Sequence, residues 1–477
     1  RSLARTSIAC NRDLYCLLFI ILHKIYEYIV ITMNKLDIKI IPKIKGAYIV
    51  GGSIRDIILG RFPFDYDIAV FGNPEEFAKK IAVKKSDHII ELGKKDHNII
   101  RVISDNKIFD ISSANGNTIE DDLLKRDFTI NAMACSLSSG KIIDCTGGMK
   151  DLADKKIRMV SDTAFEKDPV RLIRAYRIGA SLNFEIEKNT VSAIRKNAKL
   201  IKNSAGERIR SEFLRILQAP ESHRFISQMA DTGLLFAIFP ELGKLKGCIQ
   251  NRFHQYDVFE HTMKAFYHLE NILNNKITHS INENTASLLK FAILLHDTGK
   301  PLVKKVDNEG NVRFYGHSKK GAEITKKISS RLKLSTKEKY FIDFIIRNHV
   351  NPLHLFIAKS KGTLTNKGIT RFFIKCGDNT PCLLLHSIAD MKGKGDKGKE
   401  EFIEFAKNMI LKYFSEFMQR KKMPALITGN DLINEFGLSP SPLFKKIISK
   451  VEEARLSNQI NTRQEALSLV KKLLNSD

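Results

Sequence analysis

The amino-acid sequence predicts an α+β protein in which a small, sheet-containing domain precedes a longer, mainly helical part. Residues 46–145 contain short β-branched runs separated by turns, whereas residues 165–477 carry mainly the apolar spacing of amphipathic helices. At 477 residues the chain is long for one hydrophobic core, and its 43% of hydrophobic residues can supply two or three packed units. We therefore expect several domains in series.

The charge balance favours a polyanionic partner. Lysine and arginine outnumber aspartate and glutamate by 78 to 53, a formal net charge of +25, and such an excess suits RNA or an anionic membrane surface. A general bias toward lysine is the alternative explanation. The apolar stretch of residues 14–32 is interrupted by His23, Lys24 and Glu27, so we predict no membrane-spanning helix and no membrane partner.

The cysteines and the N-terminal residues carry little functional signal. Seven cysteines without CxxC spacing predict neither a disulfide framework nor a zinc ribbon, and they favour a reducing, cytoplasmic compartment. Met33 directly precedes the first recognisable element, so we expect residues 1–32 to be an extension. The sequence does not indicate the oligomeric state.

The first motif is a glycine corner between a strand and a helix. The apolar strand of residues 47–50 leads into residues 51–56 (GGSIRD), followed by helix-forming residues. Backbone amides of Gly51 and Gly52 at a helix start can hold phosphate oxygens, and Arg55 can add a bidentate contact. This corner suits a triphosphate, and a plain turn is the alternative.

The second motif is a pair of aspartates, Asp65 and Asp67, before an apolar run. Residues two apart on a strand point to the same face, so the two carboxylates converge. Two hard oxygen donors suit Mg²⁺, and paired magnesium ions can activate an attacking 3′-hydroxyl and neutralise a triphosphate leaving group. A solvated turn is the alternative for an isolated Asp-x-Asp.

Asp110 is a candidate third carboxylate. It lies in a predicted hairpin formed by residues 97–104 and 107–112. An exposed position on an edge strand is the alternative for this aspartate.

Two further motifs supply cations and amides. In residues 125–132 (KRDFTINA), Arg126 can bind a triphosphate, while Asp127 and Asn131 can hold a sugar or order neighbouring side chains. Residues 168–177 (DPVRLIRAYR) predict a helix with Asp168 as N-cap and proline at its first position. Its arginines, Arg171 and Arg174, are three apart and therefore share a face, although surface cations would show the same spacing.

Five motifs together resemble one family. GGSIRD, DYD, KRDFTINA, KDPVRLIRAYRIG and ERIRSEFLRIL occur in the order and spacing of bacterial class II CCA-adding enzymes and poly(A) polymerases, from about Ile49 to Leu217. The resemblance implies a small N-terminal nucleotidyltransferase head with a mixed sheet that carries Asp65 and Asp67. A mainly α-helical neck, body and tail would follow.

The same resemblance implies a way of choosing the nucleotide. In the family, an acidic residue and an arginine read the Watson–Crick edge of the incoming base, and these roles would fall on Asp168 and Arg171. The family usually has Glu immediately before that aspartate, whereas this chain has Lys167. The departure bears on the details of base selection and leaves the transfer chemistry intact.

A second constellation of histidines and aspartates lies downstream. Imidazoles and carboxylates from separated helices can converge on one or two divalent metals, which polarise a phosphoester and activate water. The order of these residues, with HDTGK and a later GHSKKGAE, resembles the HD phosphohydrolase superfamily. The resemblance implies a second divalent metal, of the transition series, bound by His261, His296, Asp297 and Asp390. His317 and His349 are further candidates, and a structural role is the alternative for each histidine alone.

The predicted function is template-independent addition of the 3′-terminal CCA of tRNA from CTP and ATP, with Mg²⁺ as cofactor. Residues 423–442, a helix at 443–455 and a capping box at 462–465 resemble the tail of long CCA-adding enzymes, which favours tRNA over other RNA 3′ ends. The alternatives are a bacterial poly(A) polymerase, an HD-type phosphohydrolase whose head only binds nucleotide, and a non-catalytic RNA-binding protein.

The predicted domain boundaries follow from these patterns and resemblances. After the extension we expect a nucleotidyltransferase head, a helical neck that binds the base and RNA, an HD-type helical domain and a helical tRNA-binding tail. They span residues 33–160, 161–240, 241–400 and 401–477, respectively.

Overall fold

The computed structural model describes residues 41–84, 86–92, 99–250, 255–275, 281–395 and 399–475. The chain forms two compact units, with the boundary between Ser204 and Ala205. The first unit contains a large sheet and the second is mainly helical, so the predicted α+β class and its order along the chain are confirmed. The predicted extension, residues 1–32, lies outside the described residues.

A mixed seven-stranded sheet forms the centre of the first unit. In chain order its strands are β1 (Ala47–Val50), β2 (Asp65–Val70), β3 (His88–Leu92), β4 (Ile99–Ser104), β5 (Lys107–Ser113), β6 (Met133–Ser136) and β7 (Ile142–Asp144). Across the sheet the order is β3-β4-β5-β2-β1-β6-β7. Strands β2 and β5 are parallel, and the other neighbours are antiparallel.

The predicted hairpin is present as β4 and β5. Asp105 and Asn106 form its two-residue turn with positive φ angles of 49° and 60°, the conformation that matches the twist of the flanking strands. Strand β5 lies between β4 and β2, so the alternative of an edge position for Asp110 is wrong. His97, where the hairpin was expected to begin, lies outside the described residues.

Short helices surround the sheet and complete the first unit. They are α1 (Gly51–Ile58), α2 (Pro74–Ile81), α3 (Ile119–Leu123), α4 (Gly148–Ala153), α5 (Ala164–Lys167), α6 (Arg171–Leu182) and α7 (Lys188–Asn197). Strands β8 (Lys156–Ile157) and β9 (Glu185–Ile186) form a separate parallel pair. Local capping explains several helix starts, since Asn73 accepts a hydrogen bond from the Glu75 amide and Thr118 forms a capping box with Asp121.

The start of α6 differs from the prediction. The regular helix begins at Arg171. In the preceding turn, the amides of Arg171 and Leu172 donate to the carbonyls three residues back, Asp168 O and Pro169 O, and not four back as in an α-helix. The Asp168 carboxylate still accepts a hydrogen bond from the Val170 amide, at 3.3 Å. It therefore stabilises the turn before the helix instead of capping the helix itself.

The second unit consists of helices and one short hairpin, β10 (Lys305–Val306) with β11 (Val312–Arg313). Its helices are α8 (Gly206–Gln218), α9 (Ser222–Asp231), α10 (Leu234–Ile238), α11 (Pro240–Gly243), α12 (Val258–Asn274), α13 (Glu283–Leu295), α14 (Lys300–Val303), α15 (His317–Arg331), α16 (Thr336–Asn348), α17 (Asn351–Ser360), α18 (Asn366–Cys376), α19 (Thr380–Gly393), α20 (Glu400–Lys412), α21 (Met418–Lys422), α22 (Gly429–Phe436), α23 (Pro442–Leu456) and α24 (Arg463–Leu474). Helix α13 is buried on nearly all sides, which explains its almost continuous apolar sequence.

The tail has a small core of its own. Leu432, Ile447, Val451 and Val470 are buried together, and the predicted capping box of Thr462 with Glu465 is present at the start of α24. Among the helices in the described part of the chain, none combines the length and apolar character needed to cross a membrane.

Candidate functional site

The glycine corner lies directly against the aspartate pair. Helix α1 starts at Gly51 immediately after β1, with φ at +69°, a left-handed conformation that favours glycine. A Cβ atom at this position would lie 3.0 Å from Arg126 Nη1 and 3.1 Å from Asp67 Oδ2. The corner leads into a helix as predicted, and only glycine lets the backbone come so close to the carboxylate.

Asp65 and Asp67 lie on the exposed face of β2, which excludes the solvated-turn alternative. Ser53 fixes this strand to the start of α1, because its hydroxyl donates to Asp65 O at 3.1 Å and accepts from the Asp67 amide at 2.7 Å. Asp67 is paired in register with Asp110 of β5. The structure therefore brings the three predicted carboxylates to one face of the sheet.

The environment of Asp67 penalises its negative charge. Removal from water raises the pKa of this carboxyl; the Arg126 charge opposes that shift, while Asp110 and Asp65 reinforce it. A cation placed among the three carboxylates would relieve their repulsion. Hard carboxylate oxygens are the donors that Mg²⁺ takes in proteins, so the donor set fits the predicted metal.

Asp127 organises the residues beside the aspartate pair. Its carboxylate accepts hydrogen bonds from Asn131 Nδ2 at 3.1 Å and the Phe128 amide at 2.8 Å, and it lies 2.8 Å from Arg174 Nε. Burial raises the pKa of Asp127, but the Arg174 charge and these hydrogen bonds outweigh it and hold the pKa below the usual value. Asp127 is therefore an ionised anchor for Arg174.

The arginines of α6 face the same space, as their spacing predicts. Arg171 Nη2 donates to Lys125 O at 2.9 Å, which fixes its guanidinium against the KRDFTINA segment. Arg126 is held by Asp122 at 2.8 Å. A cavity of about 180 Å³ opens between these side chains, and its lining consists of Gly51, Gly52, Asp67, Arg126, Asp127, Asn131, Asp168, Arg171 and Arg174.

Three predicted site residues lie outside this lining. Asp65 and Asp110 lie beside it, on the open face of the sheet. Arg55 points inward: its Nη1 donates to Asn131 Oδ1 and its Nε to Asp56 Oδ1, both at 2.8 Å. Arg55 thus positions Asn131, and its predicted contact with phosphate remains a prediction.

The second candidate site lies in the helical unit. His261 is on α12, His296 and Asp297 follow α13, and Asp390 is on α19. His261 Nε2 lies 2.9 Å from Asp390 Oδ1, and His296 Nε2 lies 3.2 Å from Asp297 Oδ2. The donor atoms form two compact groups, each with all atoms within 4.8 Å of one another: His261, His296 and Asp390, and Asp297, His317 and His349.

Three of the histidine rings are oriented by backbone carbonyls. Nδ1 of His296, His317 and His349 lies 2.7, 2.8 and 2.7 Å from Ile293 O, Phe314 O and Ile346 O. A proton on each Nδ1 leaves Nε2 as the lone-pair nitrogen facing the centre, the arrangement typical of histidine metal ligands. Gly299 permits the approach of α15, since a Cβ there would lie 2.1 Å from His317 O.

One contact fits a cation between the rings. His317 Nε2 and His349 Nε2 are 3.1 Å apart, and with both Nδ1 atoms donating to carbonyls, two lone pairs would face each other. Burial lowers the pKa of both rings, and each lies near other positive groups. The residues present therefore fit a bound divalent metal.

Two residues of this centre were missed by the sequence analysis. Lys300 Nζ lies 2.6 Å from Asp297 Oδ2 and donates to Gln250 Oε1 at 2.6 Å. His386 is fully buried against His296 and His349, and its ring nitrogens have no hydrogen-bond partner among the described residues. The available signal was the helical spacing of His386 four residues before Asp390, on the same face of α19.

A larger cavity, of about 440 Å³, opens from the histidine centre. Its polar floor includes Asp297, His317 and Lys300, and its walls include Phe314 and Leu353. Four of the candidate metal ligands therefore line this cavity, namely Asp297, His317, His349 and Asp390, whereas His261 and His296 are fully buried.

Family profiles cover most of the chain. The Poly A polymerase head domain matches residues 47–158, and the RNA and SrmB-binding site of polymerase A matches residues 183–245. The HD domain matches residues 258–364, and domain 2 of tRNA nucleotidyltransferases matches residues 383–470.

Relatives and solved structures agree with these profiles. The A-adding tRNA nucleotidyltransferase of Deinococcus radiodurans is 31% identical over 436 residues, 90% of this chain and 95% of the relative. The CC-adding tRNA nucleotidyltransferase of Thermus thermophilus is 26% identical, covering 88% and 92%. The structure of the Thermotoga maritima CCA-adding enzyme complexed with tRNA superposes with a TM-score of 0.62 at 21% identity, covering 90% and 91%. That last likeness establishes the fold, and the first establishes the family: the chain belongs to the tRNA nucleotidyltransferases with a Poly A polymerase head and an HD domain.

Proposed function

We propose that this nucleotidyltransferase adds or repairs the 3′-terminal CCA of tRNA, using CTP, ATP and Mg²⁺ in the cytoplasm. The observation that carries the proposal is the cavity in which the glycine corner and Asp67 meet Asp168 and Arg171. Similar proteins named A-adding, CC-adding and CCA-adding support tRNA as the acceptor. A structure of a CCA-adding enzyme with ATP, similar at a TM-score of 0.61, has the same fold.

The pairing of Asp168 with Arg171 supports the choice of C and A. Cytosine and adenine each present an amino donor beside a ring-nitrogen acceptor on the Watson–Crick edge, whereas guanine and uracil present the reverse order. A carboxylate accepts only and a guanidinium donates only, so the pair matches C and A and opposes G and U. The carbonyl contacts of Arg171 hold its donors in place.

The remaining residues of the cavity fit the triphosphate and the reacting atoms. The amides of Gly51 and Gly52 at the start of α1, together with Arg126, would bind the triphosphate oxygens. Asp65 and Asp67 would hold magnesium, which when bound activates the 3′-hydroxyl and neutralises the leaving group. The RNA 3′-hydroxyl would lose its proton to solvent and its oxygen would bond to the α-phosphorus of the nucleotide. The bond from that phosphorus to the oxygen bridging the α- and β-phosphates would break, and pyrophosphate would leave.

The test uses tRNA transcripts that lack the whole CCA, that lack only the terminal A or that carry the complete CCA. Each is incubated with labelled CTP, ATP, GTP or UTP singly, and with CTP and ATP together. We expect ordered addition of C, C and A followed by a stop, and no addition with GTP or UTP. Addition restricted to C or to A would reduce the proposal to a partial activity. Open-ended A tracts would favour the poly(A) polymerase, and no incorporation by folded protein would refute the proposal.

We also propose the domain division at residues 33–160, 161–240, 241–400 and 401–477. The matches of the four family profiles, at 47–158, 183–245, 258–364 and 383–470, support this order of segments, whereas the boundary between the two compact units, at Ser204 and Ala205, falls within residues 161–240. Limited proteolysis with mass spectrometry would test it. Fragments ending in the middle of these segments would contradict the division.

A second candidate function is metal-dependent hydrolysis of phosphoesters at the HD centre. The facing Nε2 atoms of His317 and His349 and the two donor groups support a centre that holds a divalent transition metal. Metal analysis of purified protein and hydrolysis of p-nitrophenyl phosphate, with His296→Ala as control, would test it. Intact protein that neither retains metal nor hydrolyses the ester when supplied with Mn²⁺, Co²⁺ or Ni²⁺ would refute it.

A further inference from the structure

Three charged side chains form a row across the open face of the sheet. Asp67 of β2 is in register with Asp110 of β5, and Asp110 is in register with Arg101 of β4. Residues in register lie on the same face, and neighbouring strands are about 4.8 Å apart. Arg101 therefore lies on the face that carries the aspartate pair, with its backbone about 10 Å from that of Asp67.

Arg101 is held in a defined orientation. Its Nε donates to Asp110 Oδ1 and its Nη2 to Asp110 Oδ2, both at 2.7 Å, the two-point geometry in which a guanidinium is most firmly fixed. The side chain is 35% exposed, and within the described part of the chain its Nη1 makes no hydrogen bond. A rigid, charged donor is thus available to a ligand above the sheet.

The position of the nucleotide cavity indicates which ligand lies over β5 and β4. The cavity is lined by residues that follow β1, that precede β6, or that lie in α6 or in the turn before it, together with Asp67. Phosphoryl transfer places the attacking and leaving oxygens in line, on opposite sides of the phosphorus. If the triphosphate occupies the β1 and β6 side of Asp67, the 3′ end of the acceptor RNA must approach over β5 and β4.

Within the described residues of β3, β4 and β5, Arg101 is the one lysine or arginine on this face. The side chains of β5, β4 and β3 on the face of Arg101 are mostly apolar or uncharged. They are Ile108, Asp110 and Ser112 on β5, Ile99, Arg101 and Ile103 on β4, and His88, Ile90 and Leu92 on β3. An RNA phosphate arriving next to three carboxylates needs such a partner, because their charges repel it.

We propose that Arg101 binds the phosphate of the last internucleotide linkage of the acceptor RNA and so holds the 3′ end over β5 and β4. Asp110 orients Arg101 through the two-point ion pair, while Ile99, Ile103 and Ile108 lie around that pair on the same face. The proposal rests on nucleotidyl transfer to an RNA 3′ end, and it adds the place where that end lies.

The test is binding of a fluorescent tRNA transcript lacking CCA to the full chain without nucleotide, over a range of salt concentrations. Arg101→Gln should weaken binding about tenfold, the loss of one charge-assisted contact, and should lower the salt slope by about 0.7 to 1. Arg101→Lys should retain the slope and part of the affinity. In turnover, the KM for RNA should rise while the KM for CTP and ATP stays within about twofold.

Arg158→Gln is the matched control, because Arg158 forms a comparable ion pair with Asp151 in the same unit, away from the row. This control should leave RNA affinity and slope unchanged. Unchanged affinity and slope in Arg101→Gln, or an equal loss in both variants, would overturn the proposal. RNA binding is measured without nucleotide and is therefore independent of transfer. If the wild-type protein binds RNA but adds no nucleotide, the transfer function is refuted, while RNA binding by Arg101 can still be tested.

Discussion

Asp67→Asn should separate activity from stability. The substitution keeps the size of the side chain and the hydrogen bond from the Asp67 amide to Ser53 Oγ, and it removes one of three adjacent negative charges. Two unit charges 4 Å apart interact by about 4 kcal/mol at an effective dielectric constant of 20. Loss of one anionic ligand near the reacting phosphate should therefore slow transfer about 10³-fold, at about 1.36 kcal/mol for each factor of ten.

The same variant should not lose stability. Asp67 lies on the exposed face of β2, but its carboxyl is partly removed from water and lies near Asp110 and Asp65, and these effects raise its pKa in the folded chain. Its ionised form therefore does not favour folding at neutral pH, and stability should not fall as the carboxyl becomes protonated. A neutral amide removes that charge, and the melting temperature should be equal to or higher than that of the wild type.

Single-turnover extension of a tRNA transcript lacking CCA, at saturating CTP, measures the first effect, and thermal melting measures the second. Asp154→Asn removes an exposed carboxylate from the same unit and should change neither. A rate within tenfold of wild type would refute the role of Asp67 as a metal ligand. A marked drop in melting temperature would refute the electrostatic reasoning.

Three further variants test the remaining assignments. Arg171→Ala should reduce discrimination of CTP and ATP against UTP and GTP by about tenfold or more, and an unchanged preference in competition assays would reject the proposed base reading. His296→Ala should spare nucleotide addition and eliminate metal retained at the HD centre; loss of addition would show that the two sites are not separate. Asp127→Asn should lower the free energy of unfolding at neutral pH, because the ionised carboxylate anchors Arg174. Because the pKa of Asp127 is lowered in the folded chain, the difference in unfolding free energy between variant and wild type should be complete above about pH 4 and should shrink as the pH falls further. Denaturant titrations in which this free-energy difference does not depend on pH would contradict the prediction.

Local patterns predicted much of the transferase site. Asp65 and Asp67 follow from strand alternation alone, and Arg171 and Arg174 from helical spacing, because both periodicities are set by the backbone. The parallel pairing that brings Asp110 beside Asp67 joins distant segments, so no local pattern could establish it.

The inward turn of Arg55 and the role of His386 were beyond the sequence for a different reason. An arginine at position 55 could equally bind phosphate or form hydrogen bonds inside the protein. Its inward orientation depends on the contact with Asn131, 76 residues away in the sequence, which no local pattern reveals. His386 sits in a run of apolar residues on α19, where a core histidine and a ligand have the same appearance until α13 and α16 are packed against it.

The polar contacts around Asn131 couple helix α1 to helix α6. Arg55 donates to Asn131, Asn131 donates to Asp127, and Asp127 anchors Arg174, so four side chains form an uninterrupted series of contacts from α1 to α6. Displacement of any member would leave its buried neighbour without a partner, at a cost of about 1–3 kcal/mol. A change at Arg55, which lies outside the lining of the cavity, would therefore reach Arg174, which belongs to that lining.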